Sequence, residues 1–538
     1  MRRVAAGPLP RGARRRAPAF PLAAVGSLAP SGEAVAHAFG QRYDLPLPLY
    51  LFLFGGGIIV AISFIVVAVA SRRSPGSPLE RPYPRFDLRS TAIGRGLGHP
   101  LIVALFRAIG VILFLTVLAA GFFGVQNPFR NIVPTLVWII GWIGLAYVCA
   151  LVGDAWALIN PFRTLYRWLE RVFKAVSGRG SLSLDRPVPR WLGVWPAVVL
   201  LIGFSWVEII WYRNESPSAI ASLLIAYTVF TFAGMFVFGR ETWLGRGEVF
   251  SLVFALFARF APTEVRVRSS ACCRACHEPA CRREPGDCVQ CYACFACAAP
   301  GDWQWNVRPL GAGLLARAPV SASMAVLVCV ALAVVTFDGV RETPFWESIM
   351  FRAFHPLQPT AGARADMVMT AGLVATVFVF IAAYAACCVL MSAVVRRVAP
   401  DADPGAGTLA RLFVLSLLPI AIAYHLAHYL HYLLVAGQFV IPLASDPLGI
   451  GWDLFGTAGF RTDPALVGAR FSWYTALLAI VIGHVIAMYV AHRTAHGWFA
   501  DRRVALASQY PLAMLMVVYT MVSLWILAQP VVEQLPHG

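Results

Sequence analysis

Charged residues are scarce in this chain, and their scarcity excludes an ordinary soluble protein. Only 13% of the 538 residues are charged and 59% are hydrophobic, whereas soluble domains carry about 25% charged residues. Acidic residues are the rarer kind, with 27 Asp and Glu against 44 Lys and Arg. Together with a mean hydropathy of +0.69, this composition predicts a polytopic membrane protein surrounded by membrane lipid.

Long apolar runs account for this composition. A run of about 20 apolar residues spans a bilayer as a helix, because lipid offers no partner for unpaired backbone groups. We therefore predict an all-α integral membrane protein with about ten transmembrane helices and a polar, cysteine-rich loop between the fifth and the sixth. The ten runs are 48–70, 100–124, 132–153, 192–212, 219–239, 318–337, 366–394, 411–435, 471–491 and 509–529.

The net charge of +17 does not predict nucleic-acid binding here, because the basic residues follow the positive-inside rule. If residue 47 is outside and the runs alternate, the inner segments hold 29 Lys and Arg, and the outer segments from Arg42 onward hold eight. We expect a bacterial inner-membrane protein with both mature termini outside and the cysteine-rich loop in the cytoplasm. The inner segments are 71–99, 154–191, 240–317, 395–411 and 492–508.

Four regions follow from this pattern. Residues 1–38 begin with arginines and continue with a short apolar stretch, which predicts a signal peptide or an overextended start codon. Region 39–265 holds helices 1 to 5, region 266–310 is the cysteine-rich metal-binding loop, and region 311–538 holds helices 6 to 10.

Two inner segments are expected at the membrane surface. Asn160-Pro161 is a good helix start, and the apolar residues that follow to residue 176 recur at helical spacing. Arginines on another face predict an interfacial helix whose cations lie among anionic headgroups, with a simple packing role as the alternative. Segment 247–260 is similarly apolar and is expected at the same interface.

Eight of the twelve cysteines lie between residues 272 and 297. Stable disulfides are not expected in the cytoplasm, whereas thiolates two residues apart can converge on one metal. The run from Cys288 to Cys297 resembles an iron–sulfur run but lacks its three-residue gap and following proline. Two Cys-x2-Cys pairs, starting at Cys273 and Cys288, favour zinc. The predicted metal ligands are Cys272, Cys273, Cys276, Cys281, Cys288, Cys291, Cys294 and Cys297.

Three histidines lie on one face of the run 411–435. At helical spacing, His425, His428 and His431 fall within an arc of about 120°. Ionisable residues inside a membrane indicate a functional site by default, and metal or haem ligation, polar packing and proton transfer all remain open. His425 and His484 are candidate cofactor ligands only if their two helices pack closely.

A second metal site is predicted at the outer end of the histidine helix. His428 and His431 lie at the same predicted depth as Glu208, Asp446 and Asp453. Histidine combined with carboxylate is the ligand set of hydrolytic metal sites. These five residues are therefore the candidate catalytic residues, grouped by their depth alone.

Several strings resemble a family of bacterial polytopic membrane proteins named fenitrothion hydrolase. They are AHAFGQRYDLP at 36–46, GDAWALINP at 153–161, TFDGVRETP at 336–344, SDPLG at 445–449 and DLFG at 453–456. The resemblance runs over the chain from about residue 36. It implies a membrane-bound organophosphorus hydrolase complex of two related subunits, and so a hetero-oligomer with a hydrophobic small-molecule substrate. It supplies no catalytic residues.

The leading hypothesis is therefore a hydrolase subunit for organophosphorus triesters, in which a metal at His428 and His431 activates water for attack at phosphorus. One alternative is a membrane redox protein with an iron–sulfur cluster in the cysteine loop and haem at the helix histidines. Another is a copper or other metal transporter, because cleavage after Ala36 would leave His37 as a chelating N-terminus.

Overall fold

Each of the ten apolar runs forms a helix in the computed structural model, which describes residues 43–70, 83–178, 181–276, 288–299, 301–315, 318–353, 361–401, 404–529 and 532–533. Within these ranges, nine helices are long and apolar enough to cross a membrane, and the tenth has 15 residues. The prediction of an all-α polytopic membrane protein is confirmed. The main helices are α1 Leu49–Ala70, α2 Pro100–Phe123, α3 Ile132–Leu151, α4 Pro161–Ser177, α5 Trp195–Ile209, α6 Pro217–Phe238, α7 Val249–Ala258, α8 Ala322–Val340, α9 Ala361–Val398, α10 Leu418–Ala436, α11 Ala469–Trp498 and α12 Tyr510–Ala528.

Local sequence signals explain where several helices begin. Proline is the first residue of α2, α4 and α6, a position where its missing N–H costs nothing and its fixed φ suits a helix. The side chain of Asn160 caps α4 by accepting a hydrogen bond from the backbone N–H of Arg163 at 3.0 Å. The predicted helix start at Asn160-Pro161 is therefore confirmed.

Helix α3 is irregular in its middle, where Thr135–Gly144 is wound as a π-helix. Such segments are rare and occur mostly at functional sites. Here the wider turn carries Trp142, whose ring centroid lies 5.8 Å from that of His425 in α10. The irregular part of α3 thus lies against the histidine helix.

Helix α7 is buried rather than interfacial. Its residues Val253, Phe254 and Leu256 are at most 3% exposed, and the helix packs against α3, α5 and α10. The expectation that 247–260 lies at the membrane surface is wrong. The physical reason is Glu248, a buried N-cap carboxylate that accepts hydrogen bonds from Trp156, Tyr227 and Ser251, so that this end of α7 has its polar partners inside the protein.

A small antiparallel sheet has four strands in the order β2-β5-β3-β4. It joins strands from segments 71–99 and 240–317, which the sequence places on one side. A separate parallel pair, β1 with β6, brings the two described ends of the chain together. The strands are β1 Tyr43–Asp44, β2 Phe86–Asp87, β3 Thr263–Val267, β4 Cys288–Val289, β5 Trp303–Val307 and β6 Val532–Glu533.

An ion-pair network holds the strands of the sheet together and joins them to the end of α7, where Arg308 donates to the carbonyl of Ala258 at 2.9 Å. The buried carboxylate of Glu264 in β3 accepts hydrogen bonds from Tyr83 at 2.6 Å, Arg85 at 2.7 Å and Arg308 at 2.8 Å. Burial alone would raise the pKa of Glu264, but these three partners outweigh it and lower the pKa below its usual value. The carboxylate therefore stays ionised and fixes β3, from which the cysteine segment begins.

Candidate functional site

The cysteine segment folds into a compact module directly after β3. A short helix, Ser270–Ala275, carries Cys272 and Cys273 and is capped by Ser269. Strand β4 then pairs Cys288 with Val267 of β3. Gln290, with a left-handed φ of 53°, turns the chain sharply, so that the second Cys-x2-Cys pair closes back onto the first.

Five cysteine sulfurs converge in this module. Two overlapping groups each lie with their sulfurs within 4.8 Å of one another, and Cys294 belongs to both. Four of the five are buried, and burial, followed by Cys291 and Cys288, raises the pKa of the Cys294 thiol. Packed thiols of this kind become thiolates when a cation is bound among them. The two groups are Cys273, Cys288 and Cys294, and Cys276, Cys291 and Cys294.

The sulfur spacing matches a single ion. The sulfurs of Cys276 and Cys291, one from each Cys-x2-Cys pair, lie 3.8 Å apart. A tetrahedral zinc ion with Zn–S bonds of about 2.3 Å holds its sulfurs about 3.8 Å apart. A cubane cluster keeps its thiolates at the outer corners of a four-iron body and therefore further apart. The distance between these two sulfurs is compatible with two ligands of one tetrahedral ion.

Two predicted ligands are paired with each other instead. Cys272 and Cys297 form a disulfide with their Cα atoms 5.8 Å apart, which differs from the expectation that disulfides are absent and that both residues bind metal. They lie at the two ends of the segment, which the fold of the module brings together. Cys281 lies outside the described residues.

A buried polar cluster lies where α8 ends beside α10. The carboxylate of Asp338, 2% exposed, accepts from Tyr429 at 2.6 Å and lies 2.9 Å from Nε2 of His428. Its other oxygen accepts from Arg341 at 2.7 Å. An ion pair at this depth is costly without full hydrogen bonding, and here both carboxylate oxygens have partners.

Two more carboxylates approach this cluster. Glu208 of α5 lies near Asp338 and Arg341, and Glu342 lies near His428 and Asp338. Burial raises the pKa of Glu342, the proximity of Asp338 adds to this effect, and His428 and Arg341 oppose it. The cluster therefore combines one imidazole, one guanidinium and three carboxylates, a set suited to proton transfer.

The other predicted site residues lie elsewhere. Nδ1 of His431, one helical turn after His428, lies 3.1 Å from the hydroxyl of Ser472 in α11. Asp446 accepts from the backbone N–H groups of Ile450 and Gly451. Asp453 is exposed and accepts from the N–H of Ala458. These two aspartates therefore stabilise turns of the loop between α10 and α11, and among the described residues they do not join the two histidines.

The two candidate cofactor histidines face different neighbours. His425 is enclosed by the rings of Trp142, Tyr147, Phe257 and Tyr429. The ring centroid of His484 lies 5.8 Å from that of Tyr519 in α12, and its Nδ1 lies 2.8 Å from the carbonyl oxygen of Ile480. Helices α10 and α11 pack closely, which was the condition for these two ligands, but these contacts of the two imidazoles share no residue.

Sequence reasoning did not single out Asp338, Arg341 or Tyr429. Asp338 lies one residue beyond a predicted apolar run, where a polar residue is ordinary. One signal was available, because TFDGVRETP at 336–344 places an aspartate and an arginine three residues apart at a helix end. That spacing puts both side chains on one face of the helix.

A tyrosine joins the cysteine module to the membrane domain. The hydroxyl of Tyr292 donates to Asp154 at 3.2 Å, and the guanidinium of Arg163 lies 5.4 Å from the Tyr292 ring centroid. Burial raises the pKa of Asp154 to about 6, although the N–H of Ala157, Tyr292 and Arg163 favour its ionised form. The junction is therefore sensitive to protonation.

The chain matches no protein-family model, no curated protein and no solved structure. Its function is therefore inferred from its own residues and contacts, and the resemblance to the fenitrothion hydrolase family stays an expectation from the sequence.

Proposed function

We propose that this chain is a membrane-bound hydrolase subunit for organophosphorus triesters, with His428 as the general base. The observation that carries the proposal is the 2.9 Å contact between Nε2 of His428 and Asp338. An ionised carboxylate only accepts hydrogen bonds, so Asp338 holds the imidazole proton on Nε2 and leaves the lone pair on Nδ1. A carboxylate that orients an imidazole in this way is the usual partner of a general base.

The proposed reaction needs no metal at the histidine helix. Nδ1 of His428 accepts a proton from water while the water oxygen forms a bond to phosphorus. The bond from phosphorus to the aryl oxygen breaks, and the aryl oxide leaves with the electron pair. Asp338 stabilises the imidazolium, and Arg341 keeps Asp338 in place. The imidazolium then returns its proton to solvent.

The substrate class and the partner come from the resemblance to the fenitrothion hydrolase family. A neutral aryl triester is apolar and partitions into lipid, so a base buried among membrane helices suits it. The resemblance also implies a second, related membrane subunit. The sequence predicts a metal at His428 and His431. The separate contacts of these histidines with Asp338 and Ser472 support a base rather than a metal ligand.

Substitution of His428 tests the proposal. We expect His428→Gln to lower nitrophenolate release from an aryl phosphotriester by roughly 100-fold or more, measured in membranes that also contain the related subunit. His496→Gln at the inner end of α11 is the matched control and should retain activity. Equal amounts of each variant in the membrane, measured by immunoblot, separate lost chemistry from lost folding.

The same assay distinguishes the two mechanisms. A general base at His428 predicts a smaller loss for His431→Gln than for His428→Gln, whereas a shared metal predicts similar losses. Asp338→Asn should also lower the rate, because the amide can no longer stabilise the imidazolium. Undiminished hydrolysis by His428→Gln would falsify the assignment.

We also propose that the cysteine module holds a structural zinc ion on the cytoplasmic side of a bacterial inner membrane. The sulfur spacing of 3.8 Å supports zinc over an iron–sulfur cluster, and the excess of basic residues in the inner segments supports the orientation. The redox alternative needs iron at these thiols. The copper alternative rests partly on His37, which lies outside the described residues.

A further inference from the structure

A basic cavity opens beside the amphipathic helix α4. Its volume is about 400 Å³, and three of its cations come from successive turns of this helix. A fourth cation comes from a different part of the chain, the short helix Arg240–Leu244. The cavity is therefore built by tertiary folding rather than by the helix alone. Its lining residues are Arg167, Glu170, Arg171, Lys174, Ser181 and Arg240.

The carboxylates near the cavity are paired largely with Arg240 and Arg163. Arg240 pairs with Glu170 and, at 3.0 Å, with Glu241. Arg163 also pairs with Glu241, at 2.9 Å. Asp185, the remaining acid nearby, accepts from Ser181 at 3.3 Å. The cations on α4 that face the cavity thus exceed the negative charge available to them.

The pKa of Arg167 reflects the crowding of cations at the cavity. Burial lowers its pKa, and the proximity of Arg240, Arg163 and Arg171 lowers it further, while Glu241 opposes them. Arg107, eight residues into α2, adds another positive charge close to this group. A bound anion would offset this repulsion.

The neighbouring face of α4 is apolar and uncovered. The side chains of Trp168, Leu169, Val172 and Val176 are 43%, 46%, 60% and 83% exposed. Phe162, on the inward face of the same helix, is 2% exposed and packs against Phe114 of the membrane-spanning helix α2. The exposed apolar face therefore belongs to the same amphipathic helix as three cations of the basic cavity.

We propose that the cavity binds the phosphate headgroup of an anionic phospholipid, whose acyl chains lie along the apolar face of α4. The cations of the cavity recognise the phosphate. Trp168 and Val172 extend the contact to the hydrocarbon, which a free phosphate ion lacks. This site is more specific than general attraction between an interfacial helix and a charged surface, because it includes Arg240 from another segment.

Lipid retention by the purified full-length chain tests this site. Protein in detergent is equilibrated with equal amounts of phosphatidylglycerol and phosphatidylcholine, and bound lipid is counted by native mass spectrometry. We expect phosphatidylglycerol to be retained in preference. Removing two cations in Arg167→Gln/Arg171→Gln should lower its retention by roughly 20-fold.

The matched control is Arg396→Gln/Arg397→Gln, which removes the same charge from exposed positions at the end of α9. It should bind phosphatidylglycerol as the unchanged protein does. An equal loss in the control would overturn the proposal in favour of general surface charge. Displacement of the lipid by millimolar inorganic phosphate would overturn it in favour of a free-anion site, and equal retention of phosphatidylcholine would leave only an apolar contact.

Discussion

Asp154 lies where the cysteine module meets the membrane helices, and its protonation should change the stability of the fold. Its pKa is raised from 3.8 to about 6 by burial, so the folded chain holds a proton that the unfolded chain has already lost. Stability therefore falls as pH rises from about 4 through about 6. We expect Asp154→Asn, which keeps an N-cap oxygen, to remove this part of the pH dependence.

Thermal unfolding midpoints between about pH 4 and pH 7 measure this effect. Asp501→Asn is the control, because Asp501 also caps a helix, through the N–H of Arg503 at 2.7 Å, but is exposed. Its midpoints should follow those of the unchanged protein. Parallel pH profiles for Asp154→Asn and the unchanged protein would contradict the prediction.

The sequence predicted which residues share a helix face better than which residues contact each other across helices. The histidine face was visible because helical periodicity alone places His425, His428 and His431 together. The partner of His428 was not, because Asp338 is 90 positions away and the pairing depends on how α8 packs against α10. Equal membrane depth suggested Asp446 and Asp453 instead, but depth says nothing about lateral position.

The crossing of α10 and α11 depends on one glycine. A Cβ atom at Gly483 would lie 2.4 Å from the Cβ of Ala423 and 2.9 Å from the carbonyl oxygen of Pro419. Small residues at such crossings let membrane helices approach closely. We expect Gly483→Ala to force the helices apart and to destabilise the protein by about 1–3 kcal/mol.

Gly203 of α5 provides the comparison, because a Cβ there would meet no atom within 4 Å. Gly203→Ala should leave the unfolding midpoint unchanged or raise it slightly, since alanine has the higher helix propensity. Equal midpoints for the two alanine variants, measured in the same detergent, would show that the crossing tolerates a methyl group.

Hydropathy correctly predicted the ten apolar helices. It did not predict the position of α7, which is apolar but buried. All ten apolar runs became helices because backbone groups in lipid must bond within the helix. Segment 247–260 has the same apolar character, yet α7 is buried inside the protein. Composition alone cannot distinguish an apolar helix at the membrane surface from one in the core, and the polar partners of Glu248 come from distant segments.

The cysteine module and the membrane helices are two parts of one molecule, and metal removal should affect them unequally. The module has a small core, in which four buried cysteines pack with Val267, so a bound ion would contribute much of its stability. The membrane helices have their own extensive core. We expect Cys288→Ser/Cys291→Ser to lose zinc while the helical content stays unchanged.

Elemental analysis of anaerobically purified protein, with circular dichroism on the same samples, measures both effects. The unchanged protein should contain about one zinc per chain, because Cys272 and Cys297 are joined to each other and the two groups of three thiols share Cys294. Cys387→Ala/Cys388→Ala removes two thiols within α9 and should keep its zinc. Iron in place of zinc, lost only from the module variant, would reject the single-ion site. It would favour electron transfer over hydrolysis.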